Sequence, residues 1–312
     1  METITRPQVL PDVSSENLKV DLALPLSWVG MSEMELPLKV QIKDQDFTVA
    51  AKAQAGVSLD QAQAKGIHMS RLFSATHEKL ALQPLTVASL KSLLKTFLQS
   101  HEGLSSRASF DVRFEAPVER TALKSGQKSF RTYPFKVSVR QAGLDSPPRI
   151  YIETVVTYSS TCPMSAALSR QLIQEKFTAS FADELVAREQ VIAHLGSTQG
   201  VVATPHAQRS FATVVVEVGG EHLFLAELVD LIEEALQTPV QTLVKRVDEQ
   251  EFALRNGQNL MFCEDAARRI AAALRAARFA DYSLEVRHAE SLHPHDAVAR
   301  VTAGKNLQVL GV

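Results

Sequence analysis

Cys162, His206, His288, His293 and His295, with the acidic residues near them, are the side chains of this sequence best suited to bind a metal or move a proton. They fall in short polar clusters far apart in the chain: Ser160-Thr161-Cys162-Pro163, then Pro205-His206-Ala207-Gln208-Arg209-Ser210, then Lys245-Arg246-Val247-Asp248-Glu249, and last Glu290-Ser291-Leu292-His293-Pro294-His295-Asp296. Strand ends and turns are the expected setting for all four, because side chains converge there. One Cys, one His and one Glu make a mixed S/N/O donor set. Such a set suits Zn²⁺ or Fe²⁺, and its carboxylate admits Mn²⁺. None of the spacings is a metal fingerprint of the paired CxxC kind, and the sequence has no Walker loop, no GxGxxG after a strand and no HExxH.

Each residue therefore carries an ordinary reading beside the chemical one. Cys162 could be a buried apolar packer, and His206 a turn residue after Pro205. Glu249 sits in a charged run that suits a solvated surface. His293 and His295 flank Pro294 and face the same way only in locally extended backbone. Glu264 and Asp265 precede a helical stretch, where carboxylates favour the positive end of a helix. Lys65, His68, Ser70 and Arg71 in KGIHMSR are phosphate-type donors, or a capping turn.

The elements that must position these groups are legible in outline. Residues 149–158 (RIYIETVVTY) are β-branched and aromatic, as a strand requires. Pro163 ends that run and keeps Cys162 out of helical geometry, so the thiol stands at a sheet edge on backbone that is held in place. Upstream, 36–44 and 46–59 read as strands, and 86–99 as an amphipathic helix with Leu90, Leu93, Leu94, Phe97 and Leu98 on one face. Residues 109–114 and 135–139 alternate like strands with one solvated face, which favours antiparallel pairing. Downstream, 209–218 predicts a strand ended by Gly219-Gly220, 222–236 and 262–278 predict helices, and 282–288 and 297–302 predict strands.

Two halves that each mix strands and helices imply a duplicated α+β architecture. The boundaries expected are an N-terminal arm over 1–20, a first module over 21–174, a helix-prone connection over 175–205 and a second module over 206–312. The stretch METITRPQVLPDVSSENLK has no apolar core of a secretory signal and reads as a loose arm.

With 312 residues, 45% hydrophobic and 22% charged, the composition is that of a soluble globular protein. A formal net charge of −2 gives no reason to expect nucleic acid or an anionic membrane as partner. No apolar run reaches the length of about 18 residues that a membrane span needs. Two cysteines are too few for a disulfide framework and point to a reducing, cytoplasmic setting. A Cys162–Cys263 pair is the minor alternative, and a small buried packer the simpler reading of Cys263.

Taken together, SSTCPMSAALSRQL, PHAQRS, VKRVDEQ, FCEDAARR and ESLHPHDA, with KGIHMSR nearer the N-terminus, resemble the type IB family of GTP cyclohydrolase I. The resemblance spans about residues 25 to 305, with the motifs in order. It implies a bimodular tunnelling fold, two antiparallel sheet modules each backed by helices. Such subunits associate into a ring, here a homotetramer, with active sites where subunits meet. The activity implied is conversion of GTP and water to 7,8-dihydroneopterin triphosphate and formate, the entry step to folate and related pterins.

The resemblance also implies roles. Cys162, His206 and Glu249 would bind one divalent transition metal, zinc, manganese or iron, and Cys162 would thereby be catalytic. His293 would stand beside the metal as proton donor or further ligand, with His295 as its alternate and Glu290 in support. Glu264 would anchor the guanine edge. For the triphosphate, Lys65, His68, Arg71, Arg209 and Lys245 are the candidate donors. Two other readings remain at this point: an enzyme of the same fold with Cys162 as a covalent nucleophile, in nitrile or thioester chemistry, and a non-catalytic ring protein that binds purines or pterins.

Overall fold

A computed structural model describes residues 22–305, so the expected arm over 1–20 lies outside the described residues. Eight strands follow one another in sequence order in one sheet: β1 (Leu26–Ile42), β2 (Gln45–Leu59), β3 (Arg107–Thr121), β4 (Lys128–Ala142), β5 (Arg149–Thr161), β6 (Ala207–Glu217), β7 (Tyr282–His288) and β8 (Ala297–Ala303). Helices α1 (Met69–Thr76) and α2 (Val87–Ser100) come between β2 and β3. Helices α3 (Pro163–Ser180) and α4 (Arg188–Leu195) come between β5 and β6, and α5 (Leu225–Leu236), α6 (Arg246–Gln258) and α7 (Cys263–Ala276) between β6 and β7. Strands, helices, strands thus occurs twice along the chain, the α+β order expected from the sequence.

The chain divides into two compact units. One comprises the residues up to Glu115 with Lys136–Ile152 and Gly220–Leu223; the other comprises Ala116–Phe135, Glu153–Gly219 and everything from Phe224 on. In the first unit α2 buries Val87, Leu90, Leu93, Leu94, Phe97 and Leu98. Each contributes about 1.5–3 kcal/mol when removed from water. Thr86 and Ser89 close the start of α2 with a reciprocal capping box. The strands supply Leu38, Val40, Ala53, Phe110, Val112 and Val137 to the same core by period-2 alternation.

β1 begins ten residues earlier than its sequence pattern announces. Register shifts between Leu26 and Val29 and between Met31 and Met34 break the alternation there. Gly30 pairs with Gly56 across β1 and β2. A Cβ on Gly30 would overlap the carbonyl of Ala55, and one on Gly56 would overlap the indole of Trp28. Trp28 lies over this bare backbone and donates from Nε1 to Ser109 Oγ at 2.9 Å.

In the second unit α5 buries Leu225, Leu228, Val229, Ile232 and Leu236, and α7 buries Cys263, Ala266, Ala267, Ile270, Ala271 and Leu274. The small side chains let α7 pack closely on β7 and on α5. β6 pairs antiparallel with β7, and β7 with β8. The Lys245–Glu249 cluster, expected at a strand end or turn, instead opens helix α6. Asp248, fully buried, accepts from the backbone N–H groups of Lys245 at 2.8 Å, Lys124 at 2.7 Å and Ser125 at 2.8 Å. These donors hold its carboxyl far below the usual carboxylate range despite burial. The helix escaped the sequence pattern because RVDEQEFALRNGQ carries no apolar stripe and buries only Asp248.

Candidate metal and nucleotide site

At the end of β5 the backbone turns straight into α3. Cys162 is the N-cap residue in extended geometry, and Pro163 occupies the first helical position, where a missing N–H costs nothing. The Ser165 N–H points at Cys162 Sγ at 3.5 Å. Cys162 N–H donates to the carbonyl of His206 at 3.2 Å, and His206 N–H donates to Ser165 Oγ at 3.1 Å. The start of α3 and the residue before β6 are thereby locked together, with Cys162 and His206 both half-buried.

Along β6 the period-2 alternation turns Gln208, Ser210, Ala212 and Val214 inward and leaves Ala207 and Arg209 exposed. Ser210 lies opposite His288 on β7, and the Ala289 N–H donates to Arg209 carbonyl at 3.2 Å, so pairing continues past the strand end. That continuation brings Glu290 and Ser291 to His206. Its Nδ1 has Gln208 Oε1 at 3.0 Å, Ser291 Oγ at 3.4 Å and Glu290 Oε2 at 3.9 Å. Backbone bonding thus ties the residue that bears the thiol to the one that bears the imidazole, and the Glu290 carboxylate lies beside that imidazole, at one end of β5, β6 and β7.

Beneath them runs a buried polar chain. Gln208 Nε2 donates to Ser160 Oγ at 3.0 Å; Ser160 Oγ lies 2.7 Å from Ser210 Oγ and 3.3 Å from His288 Nδ1; His288 Nε2 lies 2.9 Å from the Tyr158 hydroxyl. His288, grouped with the soft ligands in the sequence, is 2% exposed and has both ring nitrogens engaged. It is a network residue and not a ligand. Burial drives its pKa down to about 4, although the Glu264 carboxylate pulls the other way.

The family model described as Type I GTP cyclohydrolase folE2 matches residues 10–299 of the chain. The chain is 50% identical over 304 residues to GTP cyclohydrolase FolE2 of Bdellovibrio bacteriovorus, covering 96% of this chain and 98% of that protein. It is 47% identical over 295 residues to GTP cyclohydrolase FolE2 of Hydrogenovibrio crunogenus, covering 94% of each. The chain belongs to the type I GTP cyclohydrolase FolE2 family. Among solved structures, uricase from Arthrobacter globiformis superposes with a TM-score of 0.50 at 8% identity, over 92% of this chain and 96% of that one. That likeness concerns the fold alone, the tunnelling fold expected from the sequence motifs.

Within this FolE2 chain the remaining candidates are distributed as follows. Glu264 lies exposed in the first turn of α7, where it accepts from the Cys263 thiol at 3.3 Å. Its own backbone N–H and that thiol hold its carboxyl below the ordinary value. Burial, and then the carboxylate, push the Cys263 thiol up to about 11. Cys162 and Cys263 are both free, so they form no disulfide. His293 and His295 lie in the exposed loop after β7 with their rings stacked, centroids 5.1 Å apart and 13° from parallel. They do face the same way.

Glu249 is exposed in the first turn of α6. Asn256, seven residues further along that helix, accepts from the Ser159 hydroxyl at 2.7 Å and from the Thr161 hydroxyl at 3.4 Å. Seven residues of helix span about 10 Å, so Glu249 stands two turns from the point where α6 meets the end of β5. Among the described residues no three His, Cys, Asp or Glu side chains converge as a metal cluster within the single chain.

Lys65, His68 and Arg71 belong to the first unit. Lys65 is exposed, His68 immediately precedes α1, and Arg71 donates from its guanidinium to the Ser100 carbonyl. Arg209 and Lys245 are exposed in the second unit. Ser160, Gln208 and Ser210, members of the polar clusters in the sequence, and Tyr158, the end of a strand run, had no role assigned from sequence. A signal existed: His206, Gln208 and Ser210 put three polar groups on the face of β6 that Ala212, Val214 and Val216 make apolar. No helix among the described residues is long and apolar enough to cross a membrane.

Proposed function

We propose that the chain is a metal-dependent GTP cyclohydrolase, converting GTP and water to 7,8-dihydroneopterin triphosphate and formate. The observation that carries this reading is the backbone bond that ties Cys162 to His206, with the Glu290 carboxylate beside the imidazole, in a chain half identical over nearly its whole length to a FolE2 protein. The donor chemistry suits a borderline divalent ion: a thiol with one weak N–H contact beside an imidazole whose acceptor-rich surroundings lie on its Nδ1 side. In this proposal Cys162 and His206 hold zinc, iron or manganese, with Glu249 as the third ligand. The bound ion supplies an acidified water as nucleophile for position 8 of guanine.

The chain's own residues do the rest. Position 8 is a poor electrophile until N7 takes a proton, and His293 or His295, paired in one exposed loop, delivers it. The same imidazoles then carry protons as formate leaves and the opened sugar closes onto the freed amine. Glu290 keeps negative charge beside His206 and steadies it. Glu264 accepts from the ring N–H and exocyclic amine of guanine. Adenine cannot offer that pair, and an unpaired carboxylate would penalise it. Lys65, His68, Arg71 and Arg209, with Lys245, neutralise the triphosphate. A homo-oligomeric ring, with sites completed between copies, is the assembly that fits, and the cytoplasm the compartment.

The test is incubation of metal-reconstituted protein with GTP, measuring formate and, after oxidation, pterin fluorescence. Turnover abolished by chelation and restored by metal is the expected outcome. Metal-independent turnover through a Cys162 adduct would favour the covalent reading, and GTP binding without formate the non-catalytic one.

A further inference from the structure

His206 reaches its surroundings through Nδ1, and every neighbour of that atom can accept a hydrogen bond: Gln208 Oε1 at 3.0 Å, Ser291 Oγ at 3.4 Å and Glu290 Oε2 at 3.9 Å. A lone pair on Nδ1 would face the Glu290 carboxylate unfavourably, so the proton belongs on Nδ1. Nε2 then keeps its lone pair.

The amide of Gln208 has to present oxygen to His206 for this to hold, and it lies that way, with Oε1 3.0 Å from His206 Nδ1 and Nε2 3.0 Å from Ser160 Oγ, at the top of a buried chain that accepts this orientation. The Tyr158 hydroxyl has one hydrogen-bond partner among the described residues, His288 Nε2, and its buried proton is satisfied only by donating to it. His288 must then carry its proton on Nδ1, which faces Ser160 Oγ. Ser160 accepts from Gln208 Nε2, and with both of its lone pairs so engaged its own hydroxyl proton is free to go to Ser210 Oγ, 2.7 Å away. The amide nitrogen points down and its oxygen up. Ser160 and Ser210 are fully buried and Gln208 is 8% exposed, so this polar chain is closed off from water and its members must satisfy one another.

We propose that Gln208 is a positioning residue that fixes His206 as the Nδ1–H tautomer and so presents Nε2 as the metal-binding atom. This rests on the reading of Cys162 and His206 as metal ligands. A hydrogen bond to the far nitrogen of a ligating histidine orients the ring and raises its basicity, and its loss typically costs about 10–100-fold in metal affinity.

The test compares zinc affinity, by competition with a chromophoric chelator, in wild type, Gln208→Leu and Gln208→Glu. Leu should weaken zinc binding by about 10–100-fold. Glu keeps the acceptor and should restore affinity to near the wild-type value. Gln208→Leu with unchanged affinity, or a Glu variant as weak as Leu, would overturn the proposal. Nitrogen-15 histidine spectra of the metal-free wild type give a second measurement that needs no variant fold and no metal. His206 should show a protonated Nδ1 and a bare Nε2, and the opposite tautomer sinks the idea. A wild type that binds no zinc would refute the metal reading instead, while the tautomer still decides the role of Gln208.

Discussion

The N–H of Cys162 donates to the carbonyl of His206 at 3.2 Å, which joins a thiol-bearing and an imidazole-bearing residue across 43 residues of intervening chain. Neither side chain takes part in that bond. Cys162→Ala and His206→Ala should therefore keep the strand-end geometry while removing bound metal and turnover. Metal analysis and light scattering of the purified variants check this: metal lost and oligomer unchanged. A Cys162→Ala protein with full activity would refute the ligand role.

Glu264 offers a separable effect because it sits on α7 and not at the β5–β6 junction. Glu264→Gln should retain the metal and bind GTP about 10–100-fold more weakly, the loss of one charge-assisted pair of hydrogen bonds. Calorimetric titration with GTP measures it. Unchanged affinity would count against the base-anchor role.

His288 makes stability depend on pH. Its pKa is lowered from 6.5 to about 4 by burial, so the unfolded chain takes up a proton that the folded chain refuses between those values. The stabilisation is complete above about pH 6.5 and is lost as pH falls toward 4, amounting to about 3 kcal/mol across the window. Thermal melts from pH 7 to pH 4 should show this slope in wild type and a shallower one in His288→Gln. Equal slopes would mean that other groups carry the acid sensitivity.

Leu93 lies fully buried on α2. Leu93→Ala should cost about 2–5 kcal/mol, through lost transfer energy and an unfilled cavity. Urea unfolding should show a lower midpoint with the slope unchanged, and a shift below about 1 kcal/mol would mean that the core closes over the gap.

What the sequence disclosed followed from physical regularity. The stripe of α2 and the alternations of β5 to β8 were legible because one face of each is buried and the other is not. α6 was hidden because it carries no apolar stripe, and the first ten residues of β1 because two register shifts disturb its period. At the candidate site the thiol and imidazole stood out by type, and their meeting could be anticipated only from family motifs. The supporting layer of Gln208, Ser160, Ser210, His288 and Tyr158 depends on strand register. No local pattern encodes that, although the inward polar pair Gln208 and Ser210 on β6, in step with His206 just before it, marked where to look.

Trp28, draped over Gly56 and tied to Ser109, is the single tryptophan of the chain. Its ultraviolet emission is therefore a private gauge of the first unit, blind to events at Cys162. Unfolding traces that follow the indole and traces that follow far-ultraviolet dichroism will coincide only if both units melt in one cooperative step. Any separation between the two curves gives the order in which they come apart.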